Sequence, residues 1–354
     1  MPLPVLSSVD RGMITARTAQ GWQELRGQNL FITGGTGFFG CWLVESFCYA
    51  NRLMQLGARA TVLTRDPEAF ARKCPHLADD SAVTLLQGDV RSFEFPAGEF
   101  RFVIHAATEA YARQAAEAPL EMLSTIVDGT KRTLEFAASH GTKAFLLTSS
   151  GAVYGRQPSK ITHMAEAYLG GPDPLDSASA YAEGKRLAEQ LCVQFARQFG
   201  IGCKIARCWA FCGPHLPLNE HFAIGNFIGD VLEGRPIEIK GDGTPRRSYL
   251  YTADLAVWLW TILFEAPQLV PINVGSARDV SILELAQIVA ATLRPNAEIR
   301  VAHEAGPGIL PSRYVPSVDR AREMLGLEEW TPLEEAIRRT AEWWKTAPGF
   351  SSQQ

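Results

Sequence analysis

The segment FITGGTGFFG, residues 31–40, constrains the fold more than any other part of the sequence. Gly34, Gly37 and Gly40 follow a short apolar run at 29–33 and precede a segment with helical character. In this context the first glycine permits a tight turn, the second lets the backbone approach a pyrophosphate, and the third lets helix and strand pack closely. The helix N-terminus would add free N–H groups and the positive end of its dipole. The pattern therefore predicts a dinucleotide site, the alternative being a glycine-rich turn without a ligand.

Apolar runs typical of strands alternate with helical segments along the first part of the chain. The strand-like runs are 29–33, 60–64, 82–87, 100–107, 143–150 and 203–209, and the helical segments are 38–57, 119–141 and 179–200. Buried strands that alternate with amphipathic helices indicate βαβ units in a parallel sheet. Beyond residue 208, proline and glycine are frequent and the elements are shorter. The sequence predicts an α/β protein with a Rossmann-type doubly wound parallel sheet and a smaller, mixed α/β carboxyl-terminal substrate domain.

This pattern divides the chain into an extension, a dinucleotide-binding domain and a substrate-binding region. Residues 1–27 show no clean period, and we expect an amino-terminal extension packed on the surface through Trp22. The predicted boundaries are 28–208 for the Rossmann domain, with returning segments near 248–275, and 209–247 with 276–350 for the substrate-binding region. The apolar run VWLWTILF is too short to span a membrane and predicts a buried helix.

Charge and cysteine content narrow the classes of partner. A net charge of −4 and a pI of about 6.0 argue against a nucleic-acid interface, while a small anionic ligand stays open. No CxxC pair occurs among the seven cysteines, and we expect reduced, buried thiols. Cys203, Cys208 and Cys212 cluster in sequence, but no His pair with zinc spacing accompanies them, so we expect no metal. No signal-peptide pattern is present, which favours a cytoplasmic protein without a membrane partner.

Two further motifs carry residues suited to proton transfer. The segment YAEGK places Tyr181 and Lys185 four residues apart, on one face of a helix. The segment TSSGAVYG ends the preceding strand-like run at 143–150. A tyrosine with an ordinary pKa near ~10 is a poor base at neutral pH, and a neighbouring cation favours its phenolate. Tyr181 with Lys185 therefore suits a general base that acts on a hydroxyl group.

With the GxxGxxG spacing, these motifs resemble the extended branch of the short-chain dehydrogenase/reductase superfamily. This branch contains the NAD(P)-dependent nucleotide-sugar epimerases and dehydratases, and the resemblance covers roughly residues 28–345. It implies a catalytic set of Ser150, Tyr181 and Lys185. It also implies a homodimer formed through helices near 119–139 and 179–199.

The resemblance further implies which residues hold the cofactor. They are Gly34, Thr36, Gly37, Phe38, Phe39, Gly40, Thr64, Arg65, Asp89, Val90, Ala106, Ala107, Thr108, Thr148, Tyr181 and Lys185. The acidic residue expected at the end of the second strand is missing, and Thr64 and Arg65 stand there. Because an arginine can meet a 2′-phosphate, NADP is slightly favoured over NAD. In the alternative, Asp66 binds the ribose and Arg65 is a solvated surface charge.

A third group of residues is implied to contact a nucleoside-diphosphate sugar. Asn226 and Arg247 match positions that hold the pyrophosphate, and Arg313 is a second phosphate candidate. Each could instead be a surface or helix-capping charge. Ser150 would contact the sugar, as would Glu109, which could supply a displaced acid or be a solvated loop carboxylate. His105 is expected to be a core residue.

The reaction depends on where the sequence departs from the family. The 4,6-dehydratase subgroup carries Asp-Glu where this chain has Gly151 and Ala152, and the decarboxylase subgroup carries Glu at the second position. Ala210 and Ile126 also replace asparagines that are common in the family. The Gly-Ala pair is closest to C4-epimerases, so we predict C4 epimerisation through a 4-keto sugar. The alternatives are a 4,6-dehydratase, a 4-keto reductase, a UDP-glucuronate-type decarboxylase, or a non-catalytic dinucleotide-binding sensor or scaffold, against which the intact catalytic set argues.

Overall fold

The strands form one large sheet and three small ones. The computed structural model describes residues 2–108, 118–220, 222–304, 306, 308 and 310–347. The strands are β1 (Asn29–Thr33), β2 (Arg59–Thr64), β3 (Val83–Gln87), β4 (Phe102–His105), β5 (Ala144–Ser150), β6 (Gly202–Cys208), β7 (Phe211–Cys212), β8 (Ile237–Ile239), β9 (Arg246–Arg247), β10 (Leu250–Tyr251), β11 (Pro271–Val274), β12 (Val280–Ser281), β13 (Ile299–Val301) and β14 (Arg313–Tyr314). The small sheets are β7 with β10, β8 with β13, and β12 with β9 and β14.

Helices flank the strands along the described chain. They are α1 (Ser8–Arg17), α2 (Ala19–Trp22), α3 (Phe38–Leu53), α4 (Pro67–Lys73), α5 (Pro75–Ala78), α6 (Pro119–Ser139), α7 (Ala180–Phe199), α8 (Ala223–Leu232), α9 (Thr252–Glu265), α10 (Ile282–Leu293), α11 (Asp319–Leu325) and α12 (Leu333–Thr346). The run VWLWTILF lies in α9 and is almost wholly buried, as predicted. No helix in the described ranges combines the length and the apolar character that crossing a membrane requires.

The central sheet has the order β3-β2-β1-β4-β5-β6-β11, and every neighbouring pair of its strands is parallel. This confirms the predicted Rossmann-type sheet. The chain runs outward from β1 to β3 on one side and from β4 to β6 on the other. The order therefore reverses between β1 and β4, and in such sheets ligands bind beyond the carboxyl ends of the strands at this point.

The amino-terminal residues differ from the expected surface extension. Helix α1 packs against α3 and α9, and Ile14 and Trp22 are fully buried in the main core. Asp10 accepts a hydrogen bond from the Tyr251 hydroxyl at 2.8 Å and one from the Arg339 guanidinium at 2.6 Å. The segment is therefore part of the core, because its apolar side chains and one buried carboxylate find their partners far along the chain. The other proposed domain boundaries stay predictions.

Candidate active site

The glycine loop between β1 and α3 and the first turn of that helix are packed too tightly for side chains at Gly34 and Gly40. Gly34 has a φ of +71°, and a Cβ there would lie 2.6 Å from the Ala107 nitrogen. A Cβ on Gly40 would overlap the backbone of Gly34 and Gly35. No side chain within the described residues caps α3, which begins directly after Gly37. The first-turn N–H groups can therefore face an anion.

A cavity of about 530 Å³ opens at this edge of the sheet. Its walls include every residue predicted to hold the cofactor, together with Ser150. The predicted residues are Gly34, Thr36, Gly37, Phe38, Phe39, Gly40, Thr64, Arg65, Asp89, Val90, Ala106, Ala107, Thr108, Thr148, Tyr181 and Lys185. The size of the cavity, the uncapped helix and the two crowded glycines together fit a dinucleotide.

Two acidic side chains, at the end of the cavity next to β2 and β3, already have partners. Asp66 caps α4, since its Oδ1 accepts the Ala69 N–H at 2.8 Å. Asp89 forms a two-point ion pair with Arg91, at 2.8 and 2.7 Å, which lowers the pKa of Asp89. Arg65 is exposed and lines the same end of the cavity. The alternative in which Asp66 binds the ribose would therefore compete with a helix cap.

His105 is a core residue that fixes the backbone beside the glycine loop. Its Nδ1 lies 2.8 Å from Thr33 Oγ1 and its Nε2 lies 3.0 Å from Thr130 Oγ1. Thr130 donates its own proton to the Ile126 carbonyl, so its oxygen accepts from Nε2–H. Thr33 Oγ1 in turn accepts the Ala107 N–H at 3.2 Å. Burial lowers the pKa of His105 to about 3, with a smaller effect from Lys185, and the ring is neutral at physiological pH.

Lys185 is held by two oxygens at the carboxyl end of the sheet. Its Nζ donates to the Thr148 carbonyl and to Thr108 Oγ1, both at 2.7 Å. The ammonium lies 6.0 Å from the centre of the Tyr181 ring. Burial lowers the pKa of Lys185 to about 8. Since an ammonium has three N–H donors, one is left for a ligand in the cavity.

The hydroxyls of Ser150, Tyr181 and Tyr314 form one group. Ser150 Oγ accepts the Ala152 N–H at 3.1 Å, and hydrogen bonding to Ser150 acts to lower the pKa of both phenols. Burial has the larger effect, so the pKa of Tyr181 is raised to about 12. In this structure burial therefore outweighs the lowering expected from Lys185, whose N–H groups face oxygens of the sheet edge instead.

Trp209 and Tyr314 fill the space beside Gly151. A Cβ on Gly151 would lie 2.6 Å from the Trp209 ring and 2.9 Å from the Tyr314 hydroxyl. The rings of Trp209 and Tyr314 lie 4.4 Å apart, centre to centre. A side chain at residue 151 would displace this aromatic pair, so the position at which the dehydratase subgroup carries aspartate is closed here.

The two predicted substrate arginines lie on neighbouring strands but pair differently. In the register of β9 and β14, Arg313 is opposite Arg246 and Tyr314 is opposite Arg247. Arg246 and Arg313 both bind the Asp279 carboxylate. Arg247 lies 6.0 Å from the centre of the Tyr314 ring. Arg247 thus shares a strand face with Tyr314, and Arg313 is held in an ion pair.

Other predicted substrate residues lie away from the cavity or outside the described residues. Asn226 lies half-buried on α8 and, like Arg247 and Arg313, does not line the cavity described above. Glu109 falls among residues that the structure does not describe. The sequence analysis missed Trp209 and Tyr314. The adjacency of Tyr314 to Arg313 was the available signal for one of them, while Trp209 directly follows β6.

The comparisons with known proteins agree with this site. A family model described as the NAD dependent epimerase/dehydratase family matches residues 30–275. The chain belongs to this family. The predicted resemblance is thereby confirmed, as is the prediction of an NAD(P)-dependent enzyme of the epimerase/dehydratase type rather than a non-catalytic protein.

Proteins similar to this chain are named for several different reactions. The chain is 30% identical to UDP-glucuronic acid decarboxylase 3 of Arabidopsis thaliana over 308 residues, which is 87% of this chain and 86% of the relative. A solved UDP-galactose 4-epimerase shares 26% identity with a TM-score of 0.69, over 90% of this chain and 98% of that one. The UDP-glucose 4-epimerase of Thermotoga maritima has a TM-score of 0.73 at 21% identity, over 90% and 99% of the two chains, and shows the common fold.

Proposed function

We propose that the protein epimerises C4 of a nucleoside-diphosphate sugar through a 4-keto intermediate. The observation that carries the proposal is the composition of one cavity wall. Ser150, Tyr181 and Lys185 meet there, and the two residues after Ser150 are Gly151 and Ala152 instead of acids. These three side chains can move one proton at a hydroxyl oxygen. Among the described residues of this wall, no carboxylate is placed for a second proton transfer.

The side chains divide the proposed reaction among them. A bound nicotinamide dinucleotide supplies the hydride acceptor and donor. Tyr181 takes the proton of the C4 hydroxyl as the C4–H bond gives up its hydride, which leaves a 4-keto sugar. After the sugar turns over, C4 regains a hydride on its other face and Tyr181 returns the proton to the oxygen. Ser150 would hold that oxygen, and Lys185 would hold the nicotinamide ribose with its remaining N–H.

Tyr181 needs a further positive charge to act as a base near neutral pH. Its pKa of about 12 reflects burial. A cation next to the phenol favours the ionised form, and an oxidised nicotinamide bound in the cavity would supply a positive charge. We therefore expect Tyr181 to be a much stronger acid in the complex with oxidised cofactor than in the free protein.

The absence of acids at residues 151 and 152 bears on the competing reactions. Dehydration across C5 and C6 requires a second acid and base, and the related subgroup supplies them from these two positions. Trp209 and Tyr314 occupy the space that a side chain at residue 151 would need. Epimerisation needs no such group, because the same tyrosine takes and returns one proton.

Decarboxylation of a UDP-glucuronic acid is the second candidate. It is favoured by the similarity to UDP-glucuronic acid decarboxylases over most of the chain. Ala152 stands against it, since the decarboxylase subgroup carries a glutamate at that position. The two candidates differ in the fate of the sugar carboxylate, which makes them separable by the mass of the product.

NADP is the proposed cofactor, ahead of NAD. Arg65 and Lys73 line the end of the cavity next to β2, and Asp66 is engaged in capping α4. Two cations there suit a 2′-phosphate better than a free ribose hydroxyl. Titration of both dinucleotides against the wild type and Arg65→Asp tests the preference. A wild type that binds NAD more tightly than NADP would refute it.

The pyrophosphate of the substrate is assigned to Asn226, Arg247 and Arg313. Arginine suits this group because its planar, permanently charged head can donate two parallel hydrogen bonds. Arg247 lies on the strand face that it shares with Tyr314, next to the hydroxyl group of the site. Glu109 remains a proposed sugar contact.

We further propose a cytoplasmic homodimer. All seven cysteines are free and buried, which suits a reducing compartment. Helices α6 and α7 pack together and expose Leu120 and Leu187, at 81% and 45%. Burying such side chains favours association. Light scattering of the wild type and of Leu187→Glu tests this: a wild type that is already monomeric would rule out the dimer.

A panel of UDP-, TDP-, GDP- and CDP-sugars, including UDP-glucuronic acid, tests the reaction. An epimerase yields a product of unchanged mass with inverted C4, a decarboxylase releases carbon dioxide, and a dehydratase releases water. Tyr181→Phe should lower kcat by about 10³-fold. Tyr49→Phe, a half-buried tyrosine on α3 distant from the cavity, is the matched control. Equal inactivity of the wild type and Tyr181→Phe on every sugar would overturn the proposal.

A further inference from the structure

Three side chains with metal-binding chemistry meet behind the glycine loop. Cys41 lies in the second turn of α3, Cys74 directly follows α4, and His215 lies in the loop after β7. One sulfur or nitrogen atom from each residue lies within 4.8 Å of the others, and all three residues are buried. Among the described residues, this is the one group of three or more His, Cys, Asp and Glu side chains whose donor atoms converge in this way.

His215 is an unusual residue for a structural core. Only 7% of it is exposed, yet neither ring nitrogen has a hydrogen-bond partner within the described part of the chain. Its φ of +69° lies in the left-handed region, which side chains other than glycine seldom adopt. A buried imidazole without a partner is costly, because both nitrogens have lost their contact with water. The ring is therefore held, against strain, beside two sulfur atoms.

The donor set is one that zinc prefers. Two thiolates and one imidazole are frequent ligands of this ion, at about 2.3 Å for sulfur and about 2.0 Å for nitrogen. In a tetrahedral site such ligand atoms lie about 3.5–3.8 Å apart, which follows from those bond lengths. The three donor atoms here lie within 4.8 Å of one another, so the side chains need to move only slightly closer together to bind an ion. A divalent ion with two thiolates is also neutral overall, which suits a buried site.

We propose that Cys41, Cys74 and His215 bind one zinc-class divalent cation, with water as a fourth ligand. The site is separate from the catalytic hydroxyls and does not depend on the proposed reaction. Its position suggests a structural role. Cys41 belongs to the helix that starts at the glycine loop, and His215 precedes Leu216 and Pro217, which line the cofactor cavity. The ion would link three segments around the phosphate end of that cavity.

Metal titration of the intact chain tests the proposal. Protein freed of metal with a chelator and a thiol reductant is titrated with Zn²⁺ by calorimetry, and with Co²⁺ by absorption spectroscopy. We expect one equivalent to bind, and the Co²⁺ complex to show thiolate charge-transfer bands and the visible bands of a tetrahedral site. Zn²⁺ should also raise Tm, since a ligand that binds only the folded state stabilises it.

Two variants and one control identify the ligands. Cys74→Ser and His215→Asn should each weaken Zn²⁺ binding by at least about 100-fold. Asparagine tolerates a positive φ, so His215→Asn removes the ligand and keeps the backbone. Cys203→Ser changes a buried cysteine of the other large apolar cluster and should bind Zn²⁺ as the wild type does. The Tm of each metal-free variant shows that it folds.

Three results would overturn the site. The first is a wild type that binds no Zn²⁺ or Co²⁺ after reduction. The second is binding that Cys74→Ser and His215→Asn leave unchanged. The third is a native protein in which Cys41 and Cys74 form a disulfide and which, once reduced, takes up no metal.

Discussion

The proposed cofactor side and the proposed substrate side of this protein are built in different ways. The proposed cofactor side consists of the glycine loop and the adjoining ends of β1, β4 and β5, where Gly34 and Gly40 pack directly against backbone atoms. The proposed substrate side consists of β9, β14 and α8, where side chains from distant segments are placed by strand register and by ion pairs to Asp279. The first tolerates almost no change of shape. The second depends on which face of a short strand each residue occupies.

This difference teaches which parts of such a site can change without loss of the fold. A site formed by closely packed backbone is altered only by adding atoms where none fit. A side-chain site is altered by removing one charge, and the strands that carry it remain paired. Substitutions on the cofactor side should therefore act through shape, and substitutions on the substrate side should act through charge.

Among the substitutions that compare the two sides, the largest expected effect comes from Gly34→Ala. The added Cβ would lie 2.6 Å from the Ala107 nitrogen, so the loop must move away from the cavity. We expect the Kd of the dinucleotide to rise by about 100-fold or more, equivalent to about 3 kcal/mol. Isothermal titration measures it.

Gly57→Ala is the matched control for Gly34→Ala. Gly57 has a similar φ of +64°, but nothing lies within 4 Å of its added Cβ. It should lose stability of about 1 kcal/mol through backbone strain and bind the cofactor normally. Equal loss of cofactor binding in both variants would show that backbone strain, and not close packing, is the cause.

Arg247→Ala and Arg313→Ala should differ on the substrate side. Arg247 shares a strand face with Tyr314, while Arg313 is engaged with Asp279. We expect Arg247→Ala to raise KM for the nucleotide sugar by about 10- to 100-fold, as the loss of a charged hydrogen bond would. Arg313→Ala should raise it only a few-fold, and Arg247→Lys should fall between. A larger effect at Arg313 would reverse our assignment of the strand faces.

The next effect concerns the pH dependence of stability and arises at His105. Its pKa in the folded protein is about 3, below the ordinary 6.5, because it is buried. Between these values the unfolded chain binds a proton that the folded chain does not, so stability present above pH 6.5 falls as the pH falls. At pH 5 the loss is about 2 kcal/mol. Urea denaturation at several pH values measures it.

His105→Asn provides the comparison for that measurement. Asparagine cannot titrate in this range, so the variant should lose stability less steeply between pH 6.5 and 5. If the wild type and His105→Asn show the same slope, the acid sensitivity belongs to other groups.

The smallest expected effect lies where the two sides meet, at Tyr314. Its hydroxyl is next to Gly151 and interacts with Ser150. Tyr314→Phe should lower kcat by about three- to tenfold, which corresponds to one ordinary hydrogen bond. Tyr168→Phe is the control, since this ring packs against the same apolar cluster as Tyr314 and lies 6.4 Å from Tyr154. An unchanged kcat in Tyr314→Phe would show that Tyr314 does not link the two sides functionally.

The sequence predicted the parts of the molecule whose determinants are contiguous. The glycine loop, the apolar strands and the pair of Tyr181 and Lys185 lie within single segments, and their spacing alone indicates their geometry. The parts that were missed depend on long-range contacts. Ile14 and Trp22 are buried against α3 and α9, a relationship that no local period in residues 1–27 displays.

The same reasoning explains what the sequence did not reveal at the site itself. The face that Arg313 occupies follows from pairing with Arg246, which is set only when β9 and β14 meet. The raised pKa of Tyr181 follows from burial, which motif spacing does not reveal. The convergence of Cys41, Cys74 and His215 joins three segments far apart in sequence, whereas the sequence drew attention to cysteines that are merely adjacent.

The bonds of Asp10 have a consequence for how the chain is made. Its partners Tyr251 and Arg339 lie 241 and 329 residues further on. During translation the ion pair of this carboxylate can form only after Arg339, 329 residues further along the chain, has been synthesised. Helix α1 is therefore synthesised long before both partners of its buried carboxylate are available, so nascent chains stalled before residue 339 should leave it open to proteases.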